Sequence, residues 1–202
     1  MSRQDADHSK VMYKVLVAVA DEVFGKAIVE FIKAHNWPEH TRFHLLHVIE
    51  PNPLKNRILL PDDAIADITE EEQQSGRYVL NVTARLLYSS MPGARVARHL
   101  IDGDASRQIL RMASALPADM IVVGSHGRRG FDRFLLGSVA NAVATRSPCS
   151  IVVVHLSAEQ LKNEQLLELT AEEIAEDLEE MMACDAPVST ARVNKERVAT
   201  RN

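Results

Sequence analysis

A chain of 202 residues, 46% hydrophobic, 25% charged and 4% aromatic, has room for one substantial domain with an aliphatic core and an appendage. A net charge of −5 argues against nucleic-acid binding, because a phosphate backbone rewards a basic face. No apolar run reaches membrane-spanning length, and residues 1–10 lack the apolar stretch of a secretion signal. Cys149 and Cys184 lie far apart and no Cys/His spacing resembles a zinc site, so a cytoplasmic protein without a metal site is expected.

Residues 1–11 read as a polar, flexible arm. Residues 13–20 form a β-branched, apolar run, hence a buried strand. A helical pattern follows over 24–36, with Phe24, Ala27, Ile28, Phe31 and Ile32 on one face, closed by Asn36-Trp37-Pro38. Residues 42–49 are a second strand, bounded by Pro51 and Pro53. Residues 64–90 are helical, with Gly76 as a kink point, and 94–101 are a third strand. Asp102-Gly103-Asp104 is a turn before a helix over 105–115. Residues 120–123 and 150–155 are the fourth and fifth strands, with a helix over 138–146 between them. Alternating strands and helices predict an α/β sandwich of three layers around a five-stranded parallel sheet, with ligands at the carboxyl ends of the strands.

The last 46 residues differ. Residues 157–202 carry 11 acidic against 5 basic side chains, whereas the preceding part is nearly neutral. Two capping boxes, Ser157-x-x-Gln160 and Thr170-x-x-Glu173, predict an acidic helical extension over 157–185, and 186–202 reads as a disordered tail. The domain proper is thus 12–156.

The chemistry concentrates after the fourth strand, in Gly124-Ser-His-Gly127-Arg-Arg-Gly130 and, after a short interval, Gly137-Ser138 at a helix start. Glycines let backbone amides approach a ligand, and a helix start offers unpaired N–H groups with partial positive charge, a combination suited to phosphate. The spacing is neither that of a Walker loop nor that of a dinucleotide fingerprint. The histidines are scattered: His44 and His47 face opposite sides of one strand, His99 and His155 read as exposed or near strand ends, and His126 alone lies in a motif. Asp102 and Asp104 read as turn residues and Cys149 as an inert thiol, and no general base is evident beside the loop.

Gly124-x-x-Gly127, nine residues, then Gly137-Ser138 resembles the nucleotide-binding signature of the universal stress protein family, with similar flanks at 118–127, 135–140 and 148–154. The likeness covers about 12–156. It implies a flavodoxin-like sandwich that binds ATP or another adenine nucleotide such as AMP, with Mg2+ accompanying ATP. By position, Ala18, Val19 and Val48 would pack around adenine; Gly124, His126, Gly127 and Arg128 would line the triphosphate loop; Gly137, Ser138, Val139 and Ala140 would hold β- and γ-phosphates. The family's aspartate at the end of the first strand is replaced by Ala20, and Asp21 follows; a one-residue shift in a strand reverses the side-chain direction, so Asp21 reaches the ligand only if the chain turns there. Alanine at 140 is expected to remove one hydroxyl contact to phosphate, worth about 1 kcal/mol.

The expected function is a stress-response nucleotide sensor or regulator with no catalytic residues. The alternatives are an interaction adaptor with a degenerate site and a slow ATPase. The fifth strand, 150–154, is expected at a sheet edge, where it would join a homodimer, and the C-terminal extension is expected to contact a further protein partner.

Overall fold

A computed structural model describes residues 12–51, 62–125, 136–156 and 189–191. The arm 1–11 and the extension 157–185 lie outside these residues. The elements in chain order are β1 (Lys14–Ala18), α1 (Glu22–Lys33), β2 (Arg42–Ile49), α2 (Asp62–Ser90), β3 (Arg95–Asp102), α3 (Ala105–Ala115), β4 (Met120–Gly124), α4 (Ser138–Arg146), β5 (Ser150–Val154) and β6 (Ser189–Ala191).

The sheet runs β5-β4-β1-β2-β3-β6 with every pair parallel. The central strand β1 is apolar without alternation because both of its faces are covered. Val15 and Val17 belong to the core beneath α1 and α2, with Ile28, Ile32, Leu80 and Leu87. Leu16 and Ala18 belong to the core on the other face, with Ile109, Ala113, Ile121 and Val143 of α3, β4 and α4. Strand order reverses at β1, which pairs with β2 on one side and β4 on the other. In open α/β sheets ligands bind in the crevice outside the carboxyl ends of the strands at such a switch point, which here lies between β1 and β4.

α2 is one helix of 29 residues. Gly76, expected as a kink, lies inside it as a point of close approach: a Cβ there would stand 2.6 Å from Leu100 Cδ1 and 2.9 Å from His47 Cδ2. The expected five parallel strands are present, and β6 extends the sheet beyond β3. Its three residues fall within the stretch whose composition suggests a disordered tail; pairing with an open strand edge supplies the hydrogen bonds that local propensity does not. Strand β5 occupies the opposite edge. Among the described residues no helix is long and apolar enough to cross a membrane.

Candidate functional site

The chain segments leaving β1 and β4 frame the crevice. After β1, Val19 continues the extended chain, its N–H donating to Leu46 O and its carbonyl accepting from His47 Nδ1 at 2.9 Å. Ala20 is exposed. Asp21 has extended backbone and caps α1, with Oδ1 accepting the Phe24 N–H at 3.0 Å. The residue expected to replace the missing aspartate therefore holds a helix start, a role that also follows from aspartate's preference for the N-cap.

After β4 the chain is knitted tightly. The Ser125 N–H donates to Val154 O at 2.8 Å, and the Ser125 carbonyl accepts the Gly137 N–H at 2.7 Å. Ser125 is fully buried. This residue, to which the motif assigns no role, ties β4, β5 and the α4 entrance together; its only sequence signal is a small side chain between the motif's glycines. Gly124 has a packing reason to be glycine, since any Cβ there would collide with the ring of Phe24 on α1. His126, Gly127 and Arg128 lie outside the described residues.

Gly137 is the N-cap of α4, and, having no side chain, it makes no side-chain cap hydrogen bond; the described residues supply no other cap. Its carbonyl accepts the Asn141 N–H at 2.9 Å, the first bond of the helix. Because its own N–H is bonded to Ser125, Gly137 is not a free phosphate donor here. The amides of the first turn, at Ser138, Val139 and Ala140, carry the donor character of an uncapped start. The Ala140 methyl is 2% exposed and packs in the core with Ala18 and Val143. The expected loss of a hydroxyl contact at 140 therefore does not apply: this side chain points into the core, and the position offers its N–H.

The other helix starts differ. The start of α3 is occupied by carboxylates: Asp104 Oδ1 accepts the Arg107 N–H at 2.8 Å, and Glu50 Oε1 accepts the Ala105 N–H at 3.3 Å. The Arg107 amide, seconded by the Ser106 hydroxyl, holds the Asp104 carboxyl below its ordinary range. So Asp104 is a cap and not half of an acid–base pair. Among the described residues, α1 and α3 have a carboxylate at their starts and α4 has none.

The proposed adenine contacts divide. Ala18 and Val48 share one core face with Val139 and Ala140, whereas Val19 packs on the opposite face, against α1 and α2. Neighbouring residues of an extended chain point to opposite faces, which separates 18 from 19.

The sequence pattern of the Universal stress protein family matches residues 12–155. The chain belongs to the universal stress protein family. It is 36% identical over 62 residues to Universal stress protein MJ0531 of Methanocaldococcus jannaschii, a match covering 31% of this chain and 36% of that protein. Solved structures agree in fold. Hypothetical protein MJ0577 aligns at a TM-score of 0.61 and 24% identity over 73% of this chain and 99% of that one. A universal stress protein family protein from Arabidopsis thaliana, solved with AMP bound, aligns at 0.53 and 17% identity over 76% and 98%. The switch-point crevice of this universal stress protein is thus built on the shared sandwich.

Other titratable groups lie apart from the crevice. Among the described residues no three His, Cys, Asp or Glu side chains gather to hold a metal ion. Burial raises the pKa of the Cys149 thiol. As expected, His44 and His47 take opposite faces, but His99, expected to be exposed or near a strand end, stacks on His44 with Nδ1 of His44 and Nε2 of His99 3.1 Å apart. Burial first, then His99, Arg42 and Lys14, push the His44 pKa down to about 4; burial lowers His99 too. A histidine neutral in the fold but protonated near pH 6.5 when unfolded gives full stability above pH 6.5 and loses it progressively toward pH 4. Urea midpoints measured from pH 7.5 to 4.5 should fall with acid in the wild type and fall less in His44→Gln.

Proposed function

We propose that the protein binds an adenine nucleotide in the switch-point crevice, phosphates at the start of α4 and base near Ala18 and Val48, and acts as a regulator that responds to nucleotide levels. This rests above all on the uncapped α4 start, with its first-turn amides at Ser138, Val139 and Ala140, beside helices whose starts are already held by Asp21 and Asp104. An uncapped set of N–H donors with partial positive charge suits a phosphate. The AMP bound by the Arabidopsis thaliana relative supports the same ligand class here. His126, Gly127 and Arg128 would close over the phosphates, with ATP and its Mg2+ as the larger occupant and AMP as the smaller. No general base is assigned, so the reading is of a binding protein in the cytoplasm and not of an efficient ATPase.

The edge position of β5, with Ile151, Val152 and Val153 half-buried there, supports a homodimer formed through that strand. The adaptor reading predicts that the domain folds and associates without nucleotide affinity. Calorimetric titration of the full chain with AMP and ATP separates the two. Saturable binding of about one nucleotide per chain supports the sensor; no heat with either nucleotide at millimolar concentration refutes it in favour of the adaptor.

A further inference from the structure

A groove lies at the amino end of the sheet, away from the switch point. It is bounded by the turn between α1 and β2 and the turn between α2 and β3, and its volume is about 380 Å³. Small-molecule sites span about 300–1,000 Å³. His35, Asn36 and Trp37 line it from the first turn, and Met91, Pro92 and Arg95 from the second.

The walls are held in place by the protein itself. The Trp37 indole N–H donates to Ile32 O at 2.7 Å, and its ring meets Phe31 and Phe43 edge-on. The His35 ring lies on that of Phe31, centroids 4.1 Å apart, with its Nδ1 2.6 Å from Phe31 O. In the second turn the Met91 N–H donates to Leu87 O and the Ala94 N–H to Met91 O. Trp37 and Met91 are only half-buried, so both keep apolar surface open beside the groove.

The charge here is one-sided. Arg95 opens β3 and stands opposite Arg42, which opens β2, in parallel register. Neighbouring strands lie about 4.8 Å apart, so two exposed cationic side chains start side by side. Like charges so placed repel, and neither arginine has an ion-pair partner among the described residues. No carboxylate is found among the described residues that line the groove. Glu39, beside it in sequence, sits 3.1 Å from His40 Nε2 with its side chain 83% exposed to solvent. An arginine fork matches a carboxylate with two parallel hydrogen bonds. The carboxyl-terminal ends of α1 and α2 also meet this end of the sheet, and their partial negative charge disfavours a dianion such as a phosphate monoester. A single negative charge on an apolar body meets both conditions.

We propose that this groove is a binding site for a small aryl-alkyl carboxylate, its carboxylate on Arg95 with Arg42 alongside and its apolar body between Trp37 and Met91. The site is separate from the nucleotide crevice at the other end of the sheet and does not depend on it.

Trp37 is the single tryptophan of the chain, so its fluorescence reports on this groove. Titrating the full chain with 3-phenylpropionate should change that emission saturably, with half-saturation at about 1 mM or below. Arg95→Gln, at an exposed position, should weaken binding about tenfold or more, the loss of a hydrogen-bonded charge. Pro92→Asp, which sets a like charge on the exposed rim, should do the same. The uncharged 3-phenylpropanamide should bind about tenfold more weakly than the acid, and AMP should neither alter the emission nor compete. Urea unfolding establishes that each variant is folded, and the comparison of acid with amide tests the site in the wild type alone. No saturable change at tens of millimolar, equal binding of acid and amide, undiminished affinity in folded Arg95→Gln, or displacement by AMP overturns the proposal.

Discussion

Gly124→Val is expected to destabilise the protein by about 3 kcal/mol, the upper part of the range for forcing atoms into a filled core. The ring of Phe24 already occupies the place a Cβ would take, and Phe24 is itself buried. It cannot withdraw freely, since its backbone N–H is fixed by the Asp21 carboxylate. The strain would propagate to Ser125, whose two backbone bonds position the β5 end and the α4 entrance. Combining Gly124→Val with Phe24→Ala should give a double variant less destabilised than the sum of the singles by about 1–2 kcal/mol, because the cavity left by one change receives the methyls of the other. Urea unfolding of the four proteins measures this. Strict additivity would mean that Gly124 is glycine for some reason other than the ring.

Ser138→Glu should separate folding from phosphate binding. Ser138 is exposed in the first turn of α4, where a carboxylate interacts favourably with the helix dipole, so stability should hold or rise by about 0.5 kcal/mol. The same carboxylate would stand beside the bound phosphate. Like charges a few ångströms apart near a protein surface repel by a few kcal/mol, so AMP affinity should fall at least tenfold, and ATP affinity further. Adenosine, which has no phosphate, should bind variant and wild type alike. Calorimetry with AMP and adenosine reads both effects. An AMP affinity unchanged by the substitution would remove phosphate from the start of α4.

The strand–helix alternation is legible in the sequence because it depends on local periodicity. β2 runs over 42–49 and α3 over 105–115 as expected, each with clear flanking signals. The setting of the glycine motif is legible too: it follows a strand, β4, and leads to a helix start, α4. The remainder depends on residues distant in sequence. No local pattern couples Gly124 to Phe24, Gly137 to Ser125, or His44 to His99, 55 residues apart. Strand β6, Ser-Thr-Ala, has no apolar pattern and exists by pairing with β3. The opposite faces of Ala18 and Val19 follow from strand geometry alone, but a family likeness read residue by residue groups them together.

Whether phosphate binds at the start of α4 is settled by titrating isotopically labelled protein with AMP and following the amides by NMR. The expected result is saturable shifts centred on Ser138, Val139 and Ala140, with smaller ones at Ala18 and Val48, while the amides of Gly137 and Ser125 stay hydrogen-bonded within the protein. Saturable shifts centred elsewhere, for instance at the groove lined by His35, Trp37 and Arg95 at the opposite end of the sheet, or no shifts at millimolar AMP, would contradict it.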